Sequence, residues 1–284
     1  MNLRTLAEQV QAGKFQSGLE RHLSADVRAR LRGMDVNGIE SWFGQVIRNP
    51  IDLSGEGSRE LLELYYTAAW HNLFETLHIP AEASLFEIGA GDTVYIPRAL
   101  NAFSGSGAYV TANLNKQLTQ NFLRKTADLS IQVRVIEEDG ARILDYCDPG
   151  TFEVVSFHHA INDIVQTIIA GIEGIDTITN NWWAIEPQML QAVMRYHEAG
   201  TLRRAAFEPF IQIVETCGHL LRQGGYMIFD NCTYAGYEQL GYSSEFHSNY
   251  INLVRAWIME AGIGLEEVEL PSFDRNWWMI LRKA

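Results

Sequence analysis

The sequence predicts an α/β protein: a mostly parallel sheet with helices on both faces, preceded by a helical cap. Three observations predict it. From residue 84 onward, short apolar runs alternate with helical patterns, the texture of a sheet whose parallel strands are joined by crossover helices. The first of these runs, SLFEIGAG, ends in a turn with glycine at 89 and 91. Residues 1–80, by contrast, carry helical spacing throughout.

Each element follows in order. Within the first 80 residues, SRELLELYYTAAWHNLFETL (58–77) puts Leu61, Leu64, Tyr65, Ala68, Ala69, Leu73 and Leu77 near helical spacing. Ser58 is the expected N-cap and Pro80 the stop. The turn-rich RNPIDLSGEGS (48–58) divides this helix from earlier ones. With no second apolar layer of its own, 1–80 is expected as a cap on the domain at 81–284. That domain reads as strand 84–91, helix 93–103, strand 108–115, helix 116–127, strand 131–140, strand 152–160 and helix 161–171. An insertion follows at about 173–204. Then come a helix over 205–222 ending in Gly224-Gly225, a strand at 226–231 and a helix around 246–261. LEEVEL and NWWMILRK close the chain as a hairpin.

Composition narrows the function. The chain has 284 residues, 47% of them hydrophobic, and a formal net charge of -13. A sizeable core is affordable, and an acidic surface without a basic patch argues against nucleic acid as a partner. No apolar stretch reaches the roughly 18–20 residues of a membrane helix. The opening MNLRTLAEQVQAG lacks a signal-peptide core, so a cytoplasmic protein is expected. Cys147, Cys217 and Cys232 are scattered and odd in number, which disfavours a disulfide framework or zinc knuckle.

The Gly89–Gly91 turn lets backbone pass close to a ligand. A dinucleotide site wants GxGxxG, and Val94 stands where the last glycine belongs. A P-loop wants GxxxxGK[ST], which is absent. The third candidate is an S-adenosylmethionine (SAM) site. FEIGAGDT resembles motif I of the class I SAM-dependent methyltransferases. VIEEDGARI (135–143), TFEVVSFHHAIND (151–163), LLRQGGYMIFDN (220–231) and the terminal hairpin resemble that family's later motifs, in order, across roughly residues 84–284.

The resemblance implies a Rossmann-like, seven-stranded sheet with a reversed last strand, and SAM as co-substrate or sole substrate. It implies that Glu87, Gly89, Ala90 and Gly91 surround the methionine part and ribose. Asp139, or less favourably Glu138, would hold the adenine amino group, with Ala141 near the ring and Ser156 on the cofactor side. Two departures stand out. The ribose-gripping acid is replaced by Asn113, or less favourably Asn115, and a motif glycine by Thr93. An amide lacks the charge-assisted strength of a carboxylate.

The catalytic candidates His158, His159, Asn162 and Asp163 follow the fourth strand. Alternation along VVSFHH is expected to send only one histidine into the pocket. The histidines form no tight metal pattern, so no metal is expected. Two stretches, 177–202 and 230–250, are expected to shape an acceptor pocket. The second carries Tyr234 as a further candidate, and Tyr65 or Tyr66 is expected over SAM. Trp277 and Trp278 read as core. The expected function is a small-molecule methyltransferase of secondary metabolism, with homodimerisation through the cap. The alternative attacks SAM's aminocarboxypropyl arm, by cyclisation to azetidine-2-carboxylate with release of methylthioadenosine or by transfer of the arm. A non-catalytic SAM sensor is the third class.

Overall fold

The computed structural model describes residues 1–284. Four helices and a short 3-10 turn (Leu19–His22) come first: α1 (Leu3–Gln11), α2 (Ala25–Arg32), α3 (Val36–Val46) and α4 (Ser58–Thr76). Asn2, Ser24 and Asp35 cap the first three, each accepting a first-turn backbone N–H that would otherwise lack a partner. α4 covers the expected span to within one residue and departs from expectation only in its N-cap. Ser58 is its first residue, after Gly57 at φ +73, and the helix stops at Thr76, ahead of Pro80. His78, at φ +52, turns the chain there. Buried residues lie all round α4, from Leu61 and Leu62 to Trp70 and Phe74, so it runs through the interior of the cap.

The sheet follows as β1 (Ser84–Ile88), α5 (Tyr95–Phe103), β2 (Ala108–Ala112), α6 (Lys116–Thr126), β3 (Gln132–Ile136), a 3-10 turn (Gly140–Asp145), β4 (Phe152–His158) and α7 (Ala160–Glu173). α8 (Trp182–Glu198), α9 (Leu202–Leu220), β5 (Leu221–Asp230), α10 (Ala235–Gln239), α11 (Ser244–Ser248), α12 (Tyr250–Ala261), β6 (Leu265–Glu267) and β7 (Trp278–Lys283) complete the chain. The strand order is β3-β2-β1-β4-β5-β7-β6. β1 to β5 are parallel, and β7 runs antiparallel to β5 and β6. The seven-stranded, mostly parallel sheet with a reversed last strand expected from the sequence is therefore present.

Three details differ. The insertion is mainly one helix, α8. The helix expected around 246–261 is interrupted at Asn249. Gly224 and Gly225 lie inside β5 instead of ending α9. Pairing with β4 shifts register there, and a Cβ on Gly225 would stand 3.0 Å from the Glu153 carbonyl, so a bulge accounts for the glycine pair.

Alternate strand residues feed opposite faces. Leu85, Val154, Ile228 and Ile280 join a cluster of 40 buried residues that runs through α1 to α4. Phe86, Val155, Phe229 and Met279 join one of 34 with α7, α9 and α12. Cap and sheet thus share one core. Trp278 belongs to it, packed against Trp70 at 5.6 Å between ring centres, while Trp277 is only half-buried. The cap is also tied to the loop after β5. The Ile51 amide donates to the Thr233 carbonyl (2.8 Å), and the Ala235 amide donates to the Ile51 carbonyl (2.9 Å). All three cysteines are free thiols, and no helix is long and apolar enough to cross a membrane.

Candidate active site

A cavity of about 450 Å³ opens beyond the carboxyl ends of β1 to β4, where ligands of such sheets bind. Gly89 and Gly91 form its floor at φ +66 and +58, a left-handed conformation that costs any other residue about 1–2 kcal/mol. A Cβ on Gly89 would meet nothing closer than 3.9 Å, so conformation rather than crowding demands glycine. Asn113 fixes the turn from the side. Its Oδ1 accepts from the Gly91 amide (3.0 Å) and its Nδ2 donates to the Gly91 carbonyl (2.9 Å). One amide hydrogen and one lone pair remain on this side chain, which lines the cavity.

Asp139 lines the far end. Its Oδ1 accepts from the Ala141 amide (2.9 Å) and caps the 3-10 turn; its other oxygen makes no hydrogen bond within the chain. Gly140 lies beside it, and a Cβ there would collide with Ile88 at 2.0 Å. Ile88, Ala112, Ile164, Pro209 and Ile213 make the walls apolar, and Trp182 closes one side.

A second cavity, about 600 Å³, lies next to the first. Neighbouring residues line the two: Gly91 and Asp92, Ala160 and His159, Trp182 and Trp183. Its walls carry Tyr95, Tyr234, Tyr237, Trp183, Glu186 and the Ile51–Leu53 segment of the cap.

His159 reaches this cavity through an unusual local conformation. At φ +51 it breaks the alternation of β4, so its ring stacks on His158 (3.9 Å, 27°) instead of pointing to the opposite face. Asp230 holds both residues. Its carboxylate lies 2.7 Å from Nδ1 of His158 and accepts from the His159 amide (3.1 Å). Burial drives the His158 imidazole to its neutral form, with a pKa down to about 3, and pushes Asp230 up to about 7. The two are joined by a buried hydrogen bond. Tyr66 packs edge-on to His159 at 4.5 Å, and Cys232 Sγ lies 3.3 Å from its Nε2.

Sequence spacing shows no metal pattern, yet the fold gathers His158, His159 and Asp230 with ligand atoms within 4.8 Å of one another. Two ligands of one tetrahedral zinc stand about 3.3 Å apart. The 2.7 Å contact between His158 and Asp230 is a direct hydrogen bond.

The structure divides the residues singled out by sequence. Gly89, Gly91, Asn113, Asn115, Glu138, Asp139 and Asp163 line the first cavity; His159 and Tyr234 line the second. The others line neither. Glu87, expected beside the methionine part, faces the cap core and accepts from the Tyr109 hydroxyl; burial pushes its pKa up to about 8. Ala90 is buried in the cap cluster. Ser156 sits mid-strand with its hydroxyl on the Phe86 carbonyl. Ala141 gives its amide to Asp139, and Gly140 takes the place expected for it. His158 lies behind His159, and Asn162 accepts from the Tyr242 hydroxyl (2.9 Å) in the core. Asn115, although at the wall of the first cavity, spends its side chain as the cap of α6 and in bonds to the Thr177 and Asn180 carbonyls. Glu138 is tied to Arg142 and Tyr146. Tyr65 and Tyr66 are buried and line neither cavity, and Tyr95, stacked on Tyr66 at 5.7 Å, lines the second.

Sequence reasoning missed Asp230, Tyr95, Glu186 and Trp183. The polar Asp-Asn that ends the apolar run YMIF, and the lone acid within WWAIEPQM, were the available signals.

No family model matches the chain, and no curated protein matches it. Structural similarity was found to a SAM-dependent methyltransferase from Aquifex aeolicus, with 8% identity over 75% of this chain and 87% of that one at a TM-score of 0.44. Similarity was also found to the pyocyanin biosynthetic protein PhzM (12% identity, 96% and 70% of the two chains, TM-score 0.46). A third similar structure is the MccD protein (10%, 78% and 97%, 0.43).

Proposed function

We propose that the chain is a SAM-dependent methyltransferase acting on a small molecule, with SAM in the first cavity and the acceptor in the second. The observation that carries this reading is the pairing of two cavities lined by chain neighbours at 91–92, 159–160 and 182–183. One has the fittings of a nucleoside site and the other is large enough for an acceptor. The fittings match SAM group by group. The free oxygen of Asp139 would accept from the adenine amino group, the apolar walls would enclose the ring, and the spare donor and acceptor of Asn113 would meet the ribose. The Gly89–Gly91 turn would carry the methionine part past bare backbone. Asp163, in the same cavity, would face the amine.

When bound, SAM supplies a methyl carbon already activated by its sulfonium, so the protein's work is alignment and exclusion of water. Tyr95, Trp183 and Tyr234 would orient the acceptor. His159 would accept its proton where the attacking atom is a hydroxyl, since burial keeps the imidazole neutral.

One observation favours a second reading. The Asp163 carboxyl, pushed up to about 8 by burial and by Glu186, stands in the cofactor cavity as a base suited to an amine. That would serve attack on the aminocarboxypropyl arm. Incubation with SAM alone, followed by mass spectrometry of the nucleoside product, separates the two. Methylthioadenosine formed without acceptor refutes methyl transfer, and S-adenosylhomocysteine formed only with an added acceptor supports it. Failure to bind SAM refutes both.

A further inference from the structure

The charges of the second cavity are unevenly matched. Glu63 is paired with Arg98 (2.7 Å) and Asp92 with Lys125 (2.9 Å). Glu186 has no cationic partner. It is only 8% exposed, its Oε1 accepts from the Tyr237 hydroxyl (3.0 Å), and no donor of the chain reaches Oε2. Burying an unpaired carboxylate is costly. The same cavity is lined by the rings of Tyr95, Tyr234, Tyr237 and Trp183; Tyr237 touches Glu186 directly, and Tyr234 meets Tyr237 edge to face at 5.7 Å. Burial keeps all three phenols protonated, so the tyrosines offer neutral ring faces. A carboxylate among aromatic faces suits an organic cation, which gains a charge-assisted hydrogen bond and cation–π contact together. The one other unmatched charge lining the cavity, Arg59, is exposed at the rim.

We infer that the second cavity takes a ligand bearing a protonated amine, held by Glu186 within the ring of Tyr95, Tyr234, Tyr237 and Trp183. This names the acceptor class of the proposed methyltransferase and rests on that reading only for the word acceptor. The ammonium held by Glu186 is an anchor: while protonated it has no lone pair with which to attack, so the methylated atom lies elsewhere on the ligand. Trp183 is 60% exposed, which places an aromatic surface at the mouth as the cation enters.

Calorimetric titration of the full chain with tyramine and with 4-propylphenol, its neutral counterpart of equal length, tests the inference. Tyramine is expected to bind at least tenfold more tightly. Glu186→Gln is expected to erase that preference while leaving 4-propylphenol affinity unchanged, which also reports that the variant is folded. Equal affinity for the two probes, a preference that survives Glu186→Gln, or no tyramine binding overturns it. SAM titrated into the same samples keeps the outcomes apart: absence of SAM binding refutes the methyltransferase, and the tyramine result still decides the cation site.

Discussion

The carboxylate of Asp230 positions the ring of His159 without touching it, by accepting the His159 amide at 3.1 Å while it holds His158, the surface on which that ring stacks. Replacing Asp230 by Ala removes the side-chain partner of both residues. Unfolding free energy is expected to drop by about 1–3 kcal/mol, measured by urea denaturation. Methyl transfer to a hydroxyl acceptor is expected to slow by about 100-fold, the scale of a misplaced general base. SAM affinity should stay within about twofold, because none of these three residues lines the first cavity. An equal loss of SAM affinity would show that the whole end of β4 had collapsed.

Asp139 both caps a turn and faces the first cavity, and two substitutions separate those tasks. Asn retains the capping oxygen but turns a donor toward the place proposed for the adenine amino group. SAM affinity is expected to fall tenfold or more, with thermal stability unchanged. Ala loses the cap as well, at a further cost of about 1 kcal/mol. Wild-type affinity in the Asn variant would leave Asp139 with the cap alone.

Asn113→Asp supplies the acid that the resemblance leads one to expect, yet it is predicted to weaken SAM binding. The carboxylate keeps the bond from the Gly91 amide but faces the Gly91 carbonyl without a proton to donate. Losing that bond in a half-buried turn costs about 1–3 kcal/mol. Titration of SAM reads the effect; tighter binding in the variant would refute the locking role of the amide.

Glu87 sets a pH dependence. Its carboxyl rises from an ordinary 4.5 to about 8, so between those values the folded chain holds a proton that the unfolded chain releases. The stability it contributes is complete below 4.5 and is lost as pH climbs through 8, at a slope of up to about 1.4 kcal/mol per pH unit. Glu87→Gln keeps a partner for the Tyr109 hydroxyl without the titration. Denaturant midpoints from pH 5 to 8.5 should decline less in the variant than in the wild type. Parallel curves would exclude Glu87 as a source of the slope.

The sheet was legible because its cues are local: a strand's apolar run and the glycines at 89 and 91 need no distant partner to be read. The first cavity was legible for the same reason, through Gly89, Asn113 and Asp139. What misled were rules that assume regular geometry. Alternation placed the two histidines on opposite faces, and the positive φ of His159 cancelled it. Glu87 belonged to the right motif, but Tyr109, 22 residues away, claimed its carboxyl. Asp230 and Glu186 gain their meaning from partners that only the fold supplies.

The backbone bonds that join Ile51 to Thr233 and Ala235 make two segments, nearly two hundred positions apart in the chain, a single piece of cavity wall. A graft of the loop after β5 from another protein would arrive without its counterpart from the cap. A chimera that keeps this cavity wall should therefore exchange 48–53 and 231–243 together.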